Sequence, residues 1–171
     1  MNKINLSNLQ LKTFTEQDAS DYCLLNNINR HVITELDLSG NKLTDITGIK
    51  LFKNLETLYL YNNETADISV LKDLNKLKTL NISYNQIIDI SPIKYLKNLE
   101  ILCLHNNKIK DISYLKNLKK LRYLSIQNLN LESDQIKYIN SLKNLKYLYY
   151  GNGFKDINIL SQLNNNIKLR Q

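Results

Sequence analysis

The stretch LKTLNISYNQIIDISPIKYLKN, residues 77–98, is the unit that repeats along most of this chain. Shifting it by 22 residues places Asn85 on Asn63 upstream and on Asn107 downstream, and a second upstream shift reaches Asn41. A fixed period of this length predicts a solenoid of stacked repeats. The same shifts superimpose one Asp-Ile pair per repeat: Asp45-Ile46, Asp67-Ile68, Asp89-Ile90 and Asp111-Ile112.

Each repeat opens with two central apolar residues that alternate with polar ones, which is the period of a β-strand. Strands that recur every 22 residues stack in parallel, ~4.8 Å apart, and form one sheet along the inner curve. The return path between strands is too short for a long helix, so we expect a 3₁₀ turn or a brief helix on the convex side. The central pairs are Leu36/Leu38, Leu58/Leu60, Leu80/Ile82, Leu102/Leu104 and Leu124/Ile126.

The sequence divides into three parts. Residues 1–32 do not match the repeat, and we expect an N-terminal helical cap there, with Thr15 at its N-cap and Asp18 in its first turn. Residues 33–144 form five repeats, and residues 145–171 form a divergent last repeat and C-terminal cap. In the fifth repeat Leu129 replaces the asparagine, and residues 132–142 have helical spacing with Ser133 as a possible N-cap.

The units LDLSGNKLTDI (36–46), LNISYNQIIDISPI (80–93) and LCLHNNKIKDISYL (102–115) resemble leucine-rich repeats. Their length and their Asp-Ile-Ser-Pro phrasing resemble the internalin class, which also occurs in a nuclear regulatory subunit of type-1 phosphatase. The resemblance implies an α/β solenoid and an asparagine ladder, in which the repeated asparagines bond to the backbone of the loops that follow the strands. It also makes regulation of an enzyme one concrete form of function.

Alternation places the residues that flank the central leucines on the concave face of the sheet. Six of the eleven tyrosines fall in these rows, whereas no basic residue does. Tyrosine offers rigid contact area with a polar tip, and it is enriched at protein interfaces where lysine is depleted. We therefore predict a protein or peptide partner on this face, contacted by Glu35, Asp37, Tyr59, Tyr61, Tyr84, Ile101, Cys103, His105, Tyr123, Tyr147 and Tyr149.

Cys103 and His105 lie two positions apart on one strand, so their side chains point the same way. A thiolate beside an imidazole is a known nucleophile arrangement, but no orienting residue and no third zinc ligand accompany this pair. The sequence therefore predicts no enzyme, no metal site and no cofactor. The aspartates at 45, 67, 89 and 111 could be imagined as calcium ligands, but turn caps are the simpler interpretation.

A net charge of +7 raises the alternative of nucleic-acid or acidic-surface binding. Of 23 basic residues only Arg30, Arg122 and Arg170 are arginine, the better residue for forked phosphate recognition. We keep this alternative for the convex lysines and regard nucleic acid as the less favoured partner. Examples are Lys94, Lys97, Lys116, Lys119 and Lys120.

Two cysteines, Cys23 and Cys103, do not make a disulfide framework, and the first residues lack the apolar segment of a signal peptide. No run approaches the ~18 apolar residues of a membrane span. We therefore expect a cytoplasmic protein without membrane contact. The C-terminal edge of the sheet offers a possible surface for an oligomer.

Overall fold

The computed structural model describes residues 2–164 and 166–171. Its strands are β1 (Lys3–Asn5), β2 (Glu35–Asp37), β3 (Thr57–Tyr59), β4 (Thr79–Asn81), β5 (Ile101–Cys103), β6 (Tyr123–Ser125), β7 (Tyr147–Tyr149) and β8 (Lys168–Arg170). The α-helices are α1 (Glu16–Leu25) and α2 (Ile136–Asn140). The 3₁₀ segments are Arg30–Val32, Thr47–Leu51, Ser69–Asp73, Ser91–Tyr95, Ser113–Asn117, Ser133–Gln135 and Ile157–Gln162.

The strands form one parallel sheet in chain order, which confirms the predicted α/β solenoid with short 3₁₀ return segments. The register of the strands aligns the central leucines as cross-strand neighbours: Leu58 lies opposite Leu36 on one side and opposite Leu80 on the other. These side chains are fully buried. Complete burial of a leucine contributes about 1.5–3 kcal/mol relative to exposure, so the row of leucines is the main source of stability.

The strands are short because one residue in each repeat turns the chain at a left-handed backbone conformation. The φ angles are +67° at Gly40, +57° at Asn62, +53° at Tyr84, +55° at Asn106 and +59° at Asn128. Glycine and asparagine adopt this conformation readily, whereas it is uncommon for a bulky side chain. Tyr84 is therefore the exception in the series.

The asparagine ladder is present as the resemblance implied. The Asn85 Nδ2 group donates to the carbonyls of Leu60 and Ile82 at 2.9 and 3.2 Å, and its Oδ1 accepts from the Thr65 amide at 3.0 Å. The Leu60 carbonyl also accepts from Asn63 at 3.0 Å, so consecutive asparagines share acceptors. A buried amide must satisfy its donors and acceptor, and here it ties each turn of chain to the one before it.

The repeated aspartates cap the return segments. The amide of Thr47 donates to Asp45 Oδ1 at 2.8 Å, and the amide of Ser91 donates to Asp89 Oδ1 at 2.7 Å. The same bond, two residues apart, occurs at Asp67 and Asp111. These contacts agree with the interpretation of the aspartates as turn caps, since aspartate side chains bond to their own backbone in this way.

The N-terminal helical cap is confirmed, and a strand that was not predicted precedes it. The Thr15 hydroxyl accepts from the Asp18 amide at 3.2 Å, and the Asp18 carboxylate accepts from the Thr15 amide at 2.8 Å, which makes a capping box. These bonds lower the pKa of Asp18. Upstream, β1 pairs with β2 and begins the sheet one strand earlier than the repeats do.

The C-terminal part also differs from expectation in two respects. Strand β8 pairs with β7 and adds an eighth strand among the described residues. The predicted helix in residues 132–142 is present as a 3₁₀ turn followed by α2, but Ser133 is the first residue of the turn, and it makes no capping bond. No helix within the described residues is long and apolar enough to cross a bilayer.

Candidate concave-face interface

The predicted contact residues lie on the open side of the sheet, on strands β2 to β7 or directly after them. Tyr61, Tyr84 and Ile101 are exposed, at 41%, 54% and 39% of their surface. The others are partly buried: Glu35, Asp37, Tyr59, Cys103, His105, Tyr123, Tyr147 and Tyr149. Their use by a partner stays a prediction.

An aromatic cluster occupies strands β6 and β7. The rings of Tyr123 and Tyr149 lie 4.9 Å apart, centroid to centroid, and Tyr147 is the direct cross-strand partner of Tyr123. Burial raises the pKa of Tyr123 to about 12, with smaller contributions from Cys103 and Tyr149. The phenol is therefore neutral near pH 7 and can act as a hydrogen-bond donor to a partner.

A second aromatic contact links the residues that follow strands β4 and β5. The ring of Tyr84 meets the imidazole of His105 edge to face at 5.3 Å. His105 Nδ1 lies 2.9 Å from the hydroxyl of Ser125, and burial lowers the pKa of His105, so the imidazole is neutral near pH 7. Ser125 is 2% exposed, so this Ser-His contact fixes the ring of His105 and does not present a nucleophile to a substrate.

Cys103 lies between these two groups of aromatic residues. Burial raises the pKa of its thiol to about 11. Only the thiolate is nucleophilic, so the side chain behaves as a small apolar group near neutral pH. Neither cysteine is in a disulfide. Within the described residues no group of three His, Cys, Asp or Glu side chains is placed to hold a metal ion.

The acidic end of the predicted site is largely occupied by contacts within the chain. Glu35 forms an ion pair with Lys3 on β1, with 2.6 Å between Nζ and Oε1. Asp37 Oδ1 accepts from the amide of Ser39 at 3.0 Å. The tyrosines of β6 and β7 are therefore the better-placed part of the site, because their side chains are not held in ion pairs or turn hydrogen bonds of this kind.

The unpredicted strands β1 and β8 lengthen the rows of the concave face and bring basic residues into them at both ends of the sheet. Lys3 pairs with Glu35 in the register of β1 and β2, and β8 brings Lys168 opposite Tyr147 and Arg170 opposite Tyr149. Both strands lie outside the regular repeat. The spacing of 21 residues from Leu148 to Leu169 is the signal that could have revealed β8.

Two of the lysines named for the convex side contact neighbouring side chains. Lys94 lies over the ring of Tyr95, 5.0 Å from its centroid, and Lys120 donates to Asn98 Oδ1 at 2.7 Å. Lys97, Lys116 and Lys119 are exposed on or beside the return segments. This arrangement is that of a solvated basic surface.

Comparison with known families identifies the repeats. Four overlapping segments match the family described as leucine-rich repeats in two copies: residues 31–73, 53–95, 75–117 and 97–143. The chain therefore belongs to the leucine-rich repeat family. The extended faces of such repeat proteins serve as binding surfaces, so the fold is that of a protein-interaction module.

Solved structures narrow the class. An internalin, inlF, of Listeria monocytogenes is 25% identical and has a TM-score of 0.80 over 99% of this chain and 46% of its own. Internalin C2 of the same organism is 28% identical, with a TM-score of 0.76 over 99% of this chain and 80% of its own. The chain is thus an internalin-like leucine-rich repeat protein, and it spans less than half of inlF.

A leucine-rich repeat protein of Leptospira interrogans shares the fold at 22% identity, with a TM-score of 0.63 over 99% of this chain and 54% of its own. No curated protein sequence matches this chain.

Proposed function

We propose that this chain binds another protein on its concave face and acts as an adaptor, regulator or inhibitor by covering or holding that partner. The observation that carries the proposal is the concentration of part-exposed tyrosines on one side of a rigid sheet. Tyrosine supplies contact area at low entropic cost, and such residues dominate binding energy at protein interfaces.

Tyr84 supports the proposal from a different direction. It is exposed, yet it occupies the left-handed position that asparagine or glycine fills in the neighbouring repeats. Backbone strain of this kind costs about 1–3 kcal/mol and tends to lie at functional sites. A solvent-exposed side chain that costs stability is expected where it contributes to binding.

The replacement Tyr84→Asn tests the proposal. Asparagine suits the backbone, which offsets the lost contact with His105, so the free energy of unfolding should stay within about 1 kcal/mol of the wild type. Affinity for the partner captured from the native cell should fall about tenfold or more. Thermal melting and quantitative affinity capture measure the two effects.

Asn106→Ala is the matched control, because it alters the same left-handed position one repeat later without removing a ring. Unchanged capture by Tyr84→Asn, together with an unchanged melting temperature, would contradict a role for Tyr84 in binding.

Several narrower predictions remain to be tested. The predicted cytoplasmic location is checked by fractionating the native cell. The alternative function, nucleic-acid binding, predicts that the chain is retained on DNA or RNA and that this retention falls steeply as the salt concentration rises. Pairing of copies through the C-terminal edge predicts a mass above that of one chain in sedimentation.

A further inference from the structure

The C-terminal end of the concave face combines aromatic and basic side chains. The ammonium group of Lys168 lies 5.8 Å from the centroid of the Tyr147 ring, and Arg170 lies opposite Tyr149 in the register of β7 and β8. Both cations are exposed at the edge of the sheet. They extend the aromatic cluster of β6 and β7 with positive charge.

The residues that precede the strands show why this charge is not neutralised. Along that border, Glu56 pairs with Lys78 at 2.8 Å, and Glu100 lies 3.9 Å from Arg122. The alternation of acidic and basic residues then ends, because the residue that follows Lys146 along this border is Ile167, which precedes β8. Within the described residues, Lys146, Lys168 and Arg170 have no acidic partner, whereas Lys3 at the opposite end is paired with Glu35.

An open groove lies between two of these cations, Lys146 and Lys168, and the ring of Tyr147. It has a volume of about 430 Å³, and Lys143, Lys146, Tyr147 and Lys168 are among its lining residues. Three ammonium groups beside one ring attract carboxylates and leave an apolar surface for a neighbouring side chain.

We propose that the C-terminal half of the concave face docks an acidic segment of the partner protein, with an aromatic or aliphatic side chain next to its carboxylates. This inference rests on the proposed function. The apolar side chain packs against Ile101 and the Tyr123–Tyr149 pair, and the carboxylates meet Lys146, Lys168 and Arg170.

The aromatic geometry favours a protein segment over a nucleic acid. Tyr123 and Tyr149 pack on each other, so neither ring is a free platform for a stacked base. A phosphate backbone also needs a longer basic track than one end of a sheet provides.

The test is a selection of random peptides against the full chain, followed by affinity measurements with the selected peptides. We expect Asp and Glu beside Phe, Tyr, Trp or Leu. The triple replacement Lys146→Glu, Lys168→Glu and Arg170→Glu should weaken the selected peptides about tenfold or more, since it reverses the charges that face them. The same change at Lys97, Lys116 and Lys119 alters net charge equally and should leave affinity unchanged.

The outcomes separate this inference from the proposed function. Peptides that lack acidic residues but lose affinity when Tyr123 and Tyr147 are replaced by alanine would overturn the inference alone. Peptides indifferent to both the tyrosine and the charge variants, or a selection without binders, would count against both. If single-stranded oligothymidylate binds as tightly as the peptides, and if charge reversal abolishes that binding, the ligand of this surface is a nucleic acid and the inference of an acidic segment is wrong. Circular dichroism confirms folding, and Lys146→Glu alone serves if the triple variant melts.

Discussion

Replacing Asn85 with alanine is expected to lower the free energy of unfolding by about 2–5 kcal/mol. The Thr65 amide is buried, and Asn85 Oδ1 is its hydrogen-bond acceptor. An unpaired buried donor costs about 1–3 kcal/mol, and the lost bonds to the carbonyls of Leu60 and Ile82 add to it. The carbonyls of Leu60 and Ile82 still accept hydrogen bonds from Asn63 and Asn107, so they are not left unpaired, which limits the loss of stability. Urea denaturation measures the change.

Gln86→Ala is the control for this replacement, because Gln86 is exposed and adjacent in sequence. Its effect should stay within about 0.5 kcal/mol. Equal stability of the Asn85 and Gln86 variants would mean that the ladder does not hold consecutive repeats together.

Replacing Tyr59, Tyr123 and Tyr147 together with alanine is expected to abolish partner binding while the domain stays folded. All three side chains are half-buried on the concave face, whereas the leucines beneath them are untouched. Interface tyrosines often cost about 2 kcal/mol or more each when truncated, so the dissociation constant should rise about 100-fold or more. Affinity capture from the native cell and a melting curve measure the two properties.

The matched control replaces Tyr95, Tyr114 and Tyr138, three tyrosines outside the concave face, with alanine. It removes the same number of rings and should retain the partner. Retained affinity in the concave-face variant, with loss in the control, would move the binding site to the return segments.

Much of the fold follows from local sequence. The ladder asparagines and the capping aspartates recur at one spacing, and each makes its bonds with backbone only a few residues away or one repeat away. The strands β1 and β8 lie outside that period. In the sequence, each is indicated only by a pair of alternating apolar residues. Their pairing depends on the neighbouring strand, as with Ile4 opposite Leu36. Such long-range pairing is not specified by three residues alone.

The position of the candidate side chains on the sheet face was predictable, whereas their local contacts and the charge beside them were not. Period 2 places Tyr59 or Tyr123 on the sheet face whatever their neighbours are. It does not show that Asp37 is bonded to Ser39, that the pKa of Cys103 is raised by burial, or that Tyr84 has a left-handed backbone. The place of Lys168 and Arg170 on the concave face was not predicted, because strand β8 was not predicted. Their position opposite Tyr147 and Tyr149 is the basis for proposing an acidic segment in the partner.

Oxidative footprinting of the tyrosines, with and without the captured partner, tests the binding face most directly. Hydroxyl radicals modify side chains in proportion to their exposure, and mass spectrometry reports each tyrosine separately. If the concave face binds the partner, modification of Tyr61, Tyr84 and Tyr147 falls in the complex, while that of Tyr95 and Tyr138 does not change. Protection of Tyr95 and Tyr138, with unchanged modification of Tyr61 and Tyr84, would contradict binding on the concave face.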